Sequence, residues 1–287
     1  MPGATSMFDE FQGVHVQQTD EIHFVGHFIQ WHRYMLDQYE KSLQNYCGLR
    51  GGMPYWDWTI DAATSLNMTE YPVFSATNGL GGNGPFEEAG PDVFFQIPGR
   101  TGGGCVQDGP FTYPKFSLSL EIATGLQVAA PHCLRRDFVP DLITFNLNTA
   151  AVDVVLDSPD FWWFSRNMEG FASFEIPNIH GGGHFGIGGS LGTMGNPYYS
   201  PGDPLFYLHH GNLDRVYWEW QKRNKAARMS AAGGVGANIV PWDYEGVQGN
   251  VTADFPIHMG EIAGVKRIDE LLDIQSGPFC YKYDTDN

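Results

Sequence analysis

The most regular alternation of apolar and polar positions in the chain lies between residues 28 and 46. Apolar and aromatic side chains recur there every three or four residues, while Asp37, Glu40 and Lys41 fall on the opposite face. A period of 3.6 residues predicts an amphipathic α-helix with one face packed on a core. His32 lies on the apolar stripe, so the pattern places an imidazole inside that core.

A second helix is predicted from about residue 203 to residue 228. Asp203 is a favourable N-cap, and Pro204 suits the first helical position, where its missing N–H would have no partner. His210 lies on an apolar face one turn before Asp214, while His209 points elsewhere. A hydrogen-bonded core histidine and a metal ligand both fit this pattern at His210.

The first helical stripe runs from residue 8 to residue 22 and includes His15. His23 and His32 are nine residues apart, about two and a half helical turns, so one continuous helix would place them on opposite sides. Gly26 offers a break, and we expect His23 to lie in a bend that returns it toward the next helix. His27 lies off the apolar stripe, and we expect it to be exposed.

His180 and His184 are separated by three glycines. A spacing of four places two imidazoles on one side of a helix, from which they can share a metal ion. The glycines lower helix propensity by about 3 kcal/mol in total relative to alanine. Close backbone packing or metal coordination would have to offset that amount.

The remaining pattern is less regular. Residues 115–130 and 141–157 are predicted to be helical. Residues 75–114, rich in glycine and proline, are predicted to form a long ordered surface loop. After residue 228 we expect loops with a few short strands.

The composition adds exclusions to this picture. A length of 287 residues favours one domain, residues 1–287, and the net charge of -17 argues against nucleic acid or an anionic membrane surface as a partner. No apolar run is long enough to span a membrane, and the N-terminus lacks the apolar core of a signal peptide. A processed or truncated chain would look the same.

The four cysteines contain no CxxC pair, which favours two disulfides, in one of three pairings, over a thiolate metal site. Glycosylation sequons begin at Asn67 and Asn250. Together these features favour a secreted glycoprotein.

Six histidines therefore occupy ligand-like positions, in an early group and a late group. All-imidazole sites suit copper first and zinc next. Gly181 stands where a zinc hydrolase of the His-Glu-x-x-His kind needs its general base, which weakens that alternative. A serine hydrolase is a remote alternative, because residues 180–183 resemble an oxyanion loop and residues 188–192 match G-x-S-x-G.

Several motifs together resemble the tyrosinase and catechol oxidase family, most closely its short fungal members. They are His15-x7-His23-x8-His32-Arg33, the box at residues 54–58, His180-x3-His184, and Asp203-Pro204-x-Phe206-x3-His210-x3-Asp214-Arg215. The resemblance implies a mainly α fold in which a four-helix bundle holds two copper ions, with long loops and a few short strands. It implies that His15, His23 and His32 bind the first copper, and that His180, His184 and His210 bind the second.

The chain departs from that family at several positions. Only fourteen residues precede His15, so we expect the usual N-terminal segment to be lacking, and almost nothing follows Tyr281-Lys282-Tyr283, so no C-terminal shielding domain is expected. Glu21 stands where many relatives carry a cysteine that forms a thioether with the second ligand. No thioether is therefore expected.

The resemblance implies oxidation of o-diphenols to o-quinones by O2, with phenolic small molecules as substrates. Related tyrosinases tie monophenol hydroxylation to an Asn after the first late ligand and to a Glu. Gly181 occupies the Asn position, and Glu169 is a candidate for the Glu, so we expect limited monophenol hydroxylation. Gly181, Phe185 and Met194 are predicted to border the substrate. An efficient tyrosinase and a dicopper oxygen carrier are the alternatives.

Overall fold

The computed structural model describes residues 3–123, 126–170, 175–231 and 233–286, and it is mainly helical with two small hairpins. The predicted mainly α class with short strands is confirmed. The α-helices of the described residues are α1 (Met7–Ile22), α2 (Phe28–Cys47), α3 (Trp58–Ala62), α4 (Pro140–Asn146), α5 (Thr149–Leu156), α6 (Phe161–Glu169), α7 (Ile179–Gly188), α8 (Leu205–Lys222) and α9 (Lys225–Arg228). The strands are β1 (Leu118–Ala123), β2 (Leu126–His132), β3 (Pro256–Ile257) and β4 (Lys266–Arg267).

The chain divides into two compact units. The first comprises Met1–Thr19, Trp56–Thr149 and His180–His209, and the second comprises Asp20–Tyr55, Ala150–Ile179 and His210–Asn287. No helix of the described residues is both long and apolar enough to cross a membrane.

In the first unit, a buried ion pair fixes the segment that leads into α8. Arg136 donates to both carboxylate oxygens of Asp203 at 2.9 Å, and neither side chain is exposed. Asp203 also accepts the backbone N–H of Leu205 at 3.0 Å. The capping contact predicted for Asp203 is therefore confirmed, although α8 begins at Leu205, one residue after the predicted first helical position at Pro204.

The first unit also contains a hairpin where a helix was predicted, so the prediction for residues 115–130 is wrong. Strands β1 and β2 pair antiparallel, from Leu118 opposite His132 to Ala123 opposite Leu126. The sequence carries an apolar residue at every second position from Phe116 to Ile122, and a period of two is typical of a strand. The prediction for residues 141–157 is confirmed in the form of two helices, α4 and α5.

In the second unit, α2 provides most of the early core. Every side chain from Phe28 to Met35 is buried, including His32 and Arg33. The helix ends at Gly48, whose φ of 74° lies in the left-handed region and whose N–H donates to Leu43 O. The apolar stripe thus correctly located this helix.

One of the two expected disulfides is present. Cys105 and Cys133 are bonded, whereas Cys47 and Cys280 are exposed free thiols. The prediction of a second disulfide is therefore wrong, because Cys47 and Cys280 are not bonded to each other.

Candidate metal centre

Six of the ten histidines form two groups of three. His15, His23 and His32 make the first group, and His180, His184 and His210 make the second. Within a group, each residue offers one ring nitrogen, and these nitrogens lie within 4.8 Å of one another. The structure therefore places the six histidines identified from the sequence in two groups of three.

Backbone carbonyls set the protonation of three of these rings. The Nδ1 atoms of His15, His32 and His184 lie 3.1, 2.8 and 2.9 Å from the carbonyl oxygens of Tyr198, Phe28 and Met194. A carbonyl oxygen can only accept, so each Nδ1 must carry the proton. Each Nε2 is then the deprotonated nitrogen, the form that binds a metal ion.

His23 lies in the bend between α1 and α2, as predicted. Its ring centroid lies 5.3 Å from that of His32. The next residue, Phe24, has a φ of 56°, and Gly26 donates its N–H to Asn238 O at 2.7 Å. The bend is thus fixed by backbone bonds and returns His23 toward His32.

The glycines between His180 and His184 are explained by close packing. A Cβ atom at Gly182 would lie 2.3 Å from Asn146 Cβ, and one at Gly183 would lie 2.1 Å from His209 Cε1. Real Cβ atoms do not approach other atoms so closely, so both positions exclude a side chain. Of the two explanations left open by the sequence, close backbone packing is therefore present at these two positions.

His209 has both ring nitrogens engaged. Trp58 Nε1–H donates to its Nδ1 at 2.9 Å, and its Nε2 donates to the carbonyl of His180 at 3.0 Å. Burial lowers the pKa of His209 well below its usual value, and the nearby His184 adds to that effect. A neutral ring held at both ends by hydrogen bonds suits a structural role.

His210 stacks on His32, with ring centroids 4.4 Å apart and planes inclined by 15°. One turn after it, Asp214 receives hydrogen bonds from Arg33 at 2.5 Å, Tyr281 at 2.5 Å and Tyr283 at 2.6 Å. Arg33 directly follows His32. The buried hydrogen bond between Arg33 and Asp214 therefore links α2, which carries His32, to α8, which carries His210.

The remaining predicted site residues lie on or beside α7 and α6. Gly181 and Phe185 are half-buried on α7, and the ring of Phe185 meets Phe95 edge-on at a centroid distance of 5.0 Å. Met194 is fully buried, and its carbonyl receives the bond from His184. Glu169 ends α6, is 2% exposed, and accepts the N–H of Phe24 at 2.7 Å.

Burial raises the pKa of Glu169 well above its usual value, although the N–H groups of Phe24 and Val25 and the charge of Arg166 oppose the effect.

The pKa of His27 is shifted in the opposite direction. The sequence predicted that it is exposed, which is wrong: it is 5% exposed, packs on Phe255, and burial lowers its pKa to about 4. The residue precedes α2 in the bend, where the helical stripe does not apply.

The serine hydrolase alternative lacks its geometry. Residues 180–183 lie inside α7 and so cannot form an oxyanion loop. Ser190 Oγ instead accepts the N–H of Ile97 at 2.9 Å. That hydroxyl has a structural role.

The sequence did not reveal the roles of two residues that hold histidine rings in place, Tyr198 and Trp58. Tyr198 acts on His15 through its backbone carbonyl, which no side-chain pattern reveals. Trp58 belongs to the aromatic box at residues 54–58, which the sequence did mark, and its indole N–H gives the box a specific role toward His209.

Comparison with known proteins agrees with this geometry. Residues 5–223 match the family model described as the common central domain of tyrosinase. Tyrosinase P of Aspergillus terreus is 32% identical over 302 residues, covering 99% of this chain and 82% of that protein. The N-acetyl-6-hydroxytryptophan oxidase of Emericella nidulans is 31% identical over 314 residues, with coverages of 99% and 82%.

Two solved structures are also similar. A mutant polyphenol oxidase from Thermothelomyces thermophila superposes with a TM-score of 0.84 at 32% identity, covering 98% of this chain and 78% of that one. A tyrosinase from Burkholderia thailandensis gives a TM-score of 0.57 at 15% identity, over 99% of this chain and 68% of that one, and shows the fold alone.

Proposed function

The chain belongs to the tyrosinase family of copper oxidases, and from that premise we propose that it oxidises o-diphenols to o-quinones with O2, with little hydroxylation of monophenols. The observation that carries the proposal is the pair of all-imidazole triads. Neutral imidazole nitrogens in groups of three suit copper, and no thiolate or carboxylate belongs to either group.

We assign His15, His23 and His32 to one copper ion, and His180, His184 and His210 to the other. When bound, the two ions supply the activation of O2 and accept the electrons of the diphenol. The protein's part is to hold the ring nitrogens. The carbonyls of Tyr198, Phe28 and Met194 keep the proton on Nδ1 of three rings, so that Nε2 is the deprotonated nitrogen that would bind the metal ion.

His209 supports the second group without joining it. Its Nε2–H bond to the carbonyl of His180 fixes the backbone from which His180 projects. Because its Nδ1 is occupied by Trp58, the ring cannot compete for the metal. We therefore propose that His210 binds the metal ion. His209 instead holds the backbone of His180 in place through a hydrogen bond.

The contacts on α7 support an aromatic substrate. Phe185 follows His184 and meets Phe95, which is 37% exposed. Apolar rings beside a ligand suit the flat face of a phenol. We therefore propose that Phe185 and Gly181 border the substrate, whereas the buried Met194 acts through its carbonyl, which accepts a hydrogen bond from His184.

Two features support weak monophenol hydroxylation. Hydroxylation needs a base to take the phenol proton, which in related tyrosinases depends on a water held by an Asn and a Glu. Gly181 has no side chain with which to hold that water. The candidate Glu169 is fully buried and accepts the N–H of Phe24, which occupies one of its oxygens.

We also propose that the protein is secreted and glycosylated. One disulfide is present, and the sequon residues Asn67 and Asn250 are both exposed. Disulfides persist in oxidising compartments, and sugar attachment needs an accessible asparagine.

The test is a comparison of substrates on copper-loaded protein. We expect two coppers per chain by elemental analysis, immediate oxidation of catechol, and slow turnover of the matched monophenol, phenol. Rapid phenol hydroxylation without a lag would make the chain an efficient tyrosinase. Two bound coppers without catechol turnover would contradict the enzyme proposal and favour an oxygen carrier.

A further inference from the structure

His23 is positioned differently from the other five histidines of the two triads. Those five project from helices: His15 from α1, His32 from α2, His180 and His184 from α7, and His210 from α8. His23 follows Ile22, the last residue of α1, and it is half-buried whereas the other five are buried. Because His23 lies just past the end of α1, the direction of its ring also depends on the backbone conformation of the residues that follow it.

The residue that follows His23 is held in an unfavourable backbone conformation. Phe24 has a φ of 56°, a left-handed value that bulky side chains rarely adopt and that persists only where the surroundings enforce it. Two side chains hold it in place. Its N–H donates to Glu169 Oε1 at 2.7 Å, and its carbonyl accepts from Asn238 Nδ2 at 2.7 Å.

A second aromatic residue with a left-handed backbone packs directly on Phe24. Trp242 has a φ of 64°, and its ring stacks on that of Phe24 with centroids 3.6 Å apart and planes inclined by 22°. Trp242 is 49% exposed, so it covers Phe24 while part of its own surface remains in solvent. Two strained residues that face each other next to a proposed copper ligand point to a positioning function.

One amide joins the two aromatic segments. Asn238 Nδ2 donates to the carbonyls of both Phe24 and Val240, and Arg166 donates to Asn238 Oδ1 at 2.9 Å, which orients the amide. Arg166 also donates to the carbonyl of Tyr244. The loop that carries Trp242 is therefore tied on both sides to the network that holds Phe24.

We propose that the stacked rings of Phe24 and Trp242, here named the aromatic clasp, are a positioning device that holds His23 in its triad. Neither residue of the clasp belongs to a histidine triad. It fixes the backbone of Phe24 and so the direction from which His23 projects. This inference rests on the proposed assignment of His23 as a copper ligand, and it adds that Trp242, distant in sequence, sets how firmly the first copper is held.

The experiment measures copper release rather than oxidation. Copper-loaded protein is mixed with excess chromogenic chelator, and release is followed for the wild type, Trp242→Ala, Trp242→Phe and Trp242→Gly. Partners of ligating residues change metal affinity by about 10- to 100-fold, so we expect Trp242→Ala to release one copper per chain roughly 10-fold faster. Trp242→Phe restores slow release, because a smaller ring still stacks.

Trp242→Gly separates stacking from strain. Glycine adopts the left-handed conformation without penalty, so this variant removes the strain as well as the ring. Fast release from Trp242→Gly supports the clasp, and wild-type release from it contradicts the clasp. The matched control is Trp163→Ala, which removes a tryptophan that is 45% exposed and packs on Trp162; this variant should release copper at the wild-type rate.

The outcomes separate the clasp from the enzyme proposal. Slow release of both coppers from a folded Trp242→Ala protein overturns the clasp, whatever the catalytic activity. A wild type that holds two coppers but oxidises no catechol contradicts the enzyme proposal and leaves the release rates as a valid test of the clasp. If copper-free Trp242→Ala keeps the thermal stability of the copper-free wild type while its loaded form releases copper faster, general unfolding is excluded as the cause.

Discussion

The rings of His32 and His210 stack nearly parallel, 4.4 Å apart between centroids. One belongs to each triad, so the residues proposed to bind different coppers are in van der Waals contact. Beside them, Arg33 and Asp214 form a buried ion pair that links the same two helices. The contacts between α2 and α8 therefore both position His32 and His210 and stabilise the fold around them.

We predict that His210 and His209 differ in copper binding. His210→Ala should reduce the copper content from two to one per chain, since it removes a proposed ligand. His209→Gln should retain two coppers but lower the free energy of unfolding by about 1–3 kcal/mol, because a buried hydrogen-bond partner of Trp58 or His180 is lost. Elemental analysis and urea denaturation measure the two effects, and the reverse pattern of copper loss would contradict the assignment.

We predict that Gly183→Ala is destabilising. The added Cβ would lie 2.1 Å from His209 Cε1, and overpacking costs about 1–3 kcal/mol, which exceeds the gain in helix propensity of about 1 kcal/mol. Gly52→Ala is the control, because Gly52 is exposed and no other side chain or backbone segment lies within 4 Å of the place that its Cβ would occupy.

A double variant tests whether the contact with His209 causes the loss of stability in Gly183→Ala. In Gly183→Ala/His209→Ala the obstructing ring is gone, so the double variant should lose less stability than the sum of the single variants. Additive losses in urea denaturation would show that the contact with His209 is not responsible.

We predict that Asp214→Ala lowers the free energy of unfolding by about 3–5 kcal/mol, because it leaves Arg33 charged and buried without its partner. Asp157→Ala is the control. Its pair with Arg223 is exposed, with side-chain exposures of 74% and 44%, so its urea midpoint should stay close to that of the wild type. Equal midpoints for the two variants would refute a stabilising role for the buried pair.

We predict that His27 makes the metal-free protein sensitive to acid. Its pKa is about 4 in the folded chain against 6.5 for an unperturbed histidine, so between these values the unfolded chain binds a proton that the folded chain does not. Stability is therefore intact above pH 6.5 and falls as the pH drops toward 4, by about 3 kcal/mol in total. His27→Gln should flatten this part of the pH profile, and His258→Gln, at an exposed position, is the control for the substitution itself.

We predict that Gly181→Asn raises the ratio of phenol to catechol turnover by roughly 10-fold or more, because a side-chain amide can hold the water that serves as base. Gly52→Asn is the control for the substitution itself. A variant that keeps both coppers and its catechol activity but gains no phenol turnover would remove Gly181 as the cause of weak hydroxylation.

The parts of the fold that follow from side-chain periodicity were accessible from the sequence. The stripe through His32 located α2, and the nine-residue spacing from His23 indicated the bend between α1 and α2. His27 was misplaced because it lies in that bend, where helical periodicity no longer reports burial. The pairing of β1 with β2 was missed, because the apolar residues at every second position from Phe116 to Ile122 indicate a strand and were not used for the prediction.

The metal centre was accessible only in part, for a physical reason. The six histidines can be found by spacing and resemblance, but the groups that fix their rings are mostly backbone carbonyls, such as those of Tyr198 and Met194. Every residue has a backbone carbonyl, so the sequence does not show which carbonyl accepts a hydrogen bond from a given histidine. The stacking of Phe24 on Trp242 likewise joins residues far apart in sequence, with nothing in either local pattern to mark it.

The packing of α7 also determines where this protein can be redesigned. Gly182 and Gly183 admit no side chain, whereas positions 181 and 185 are half-buried and one helical turn apart on the same face. A combinatorial library that varies Gly181 and Phe185 together, and leaves the two closed positions fixed, would sample new phenol preferences at the least risk to the histidines on either side.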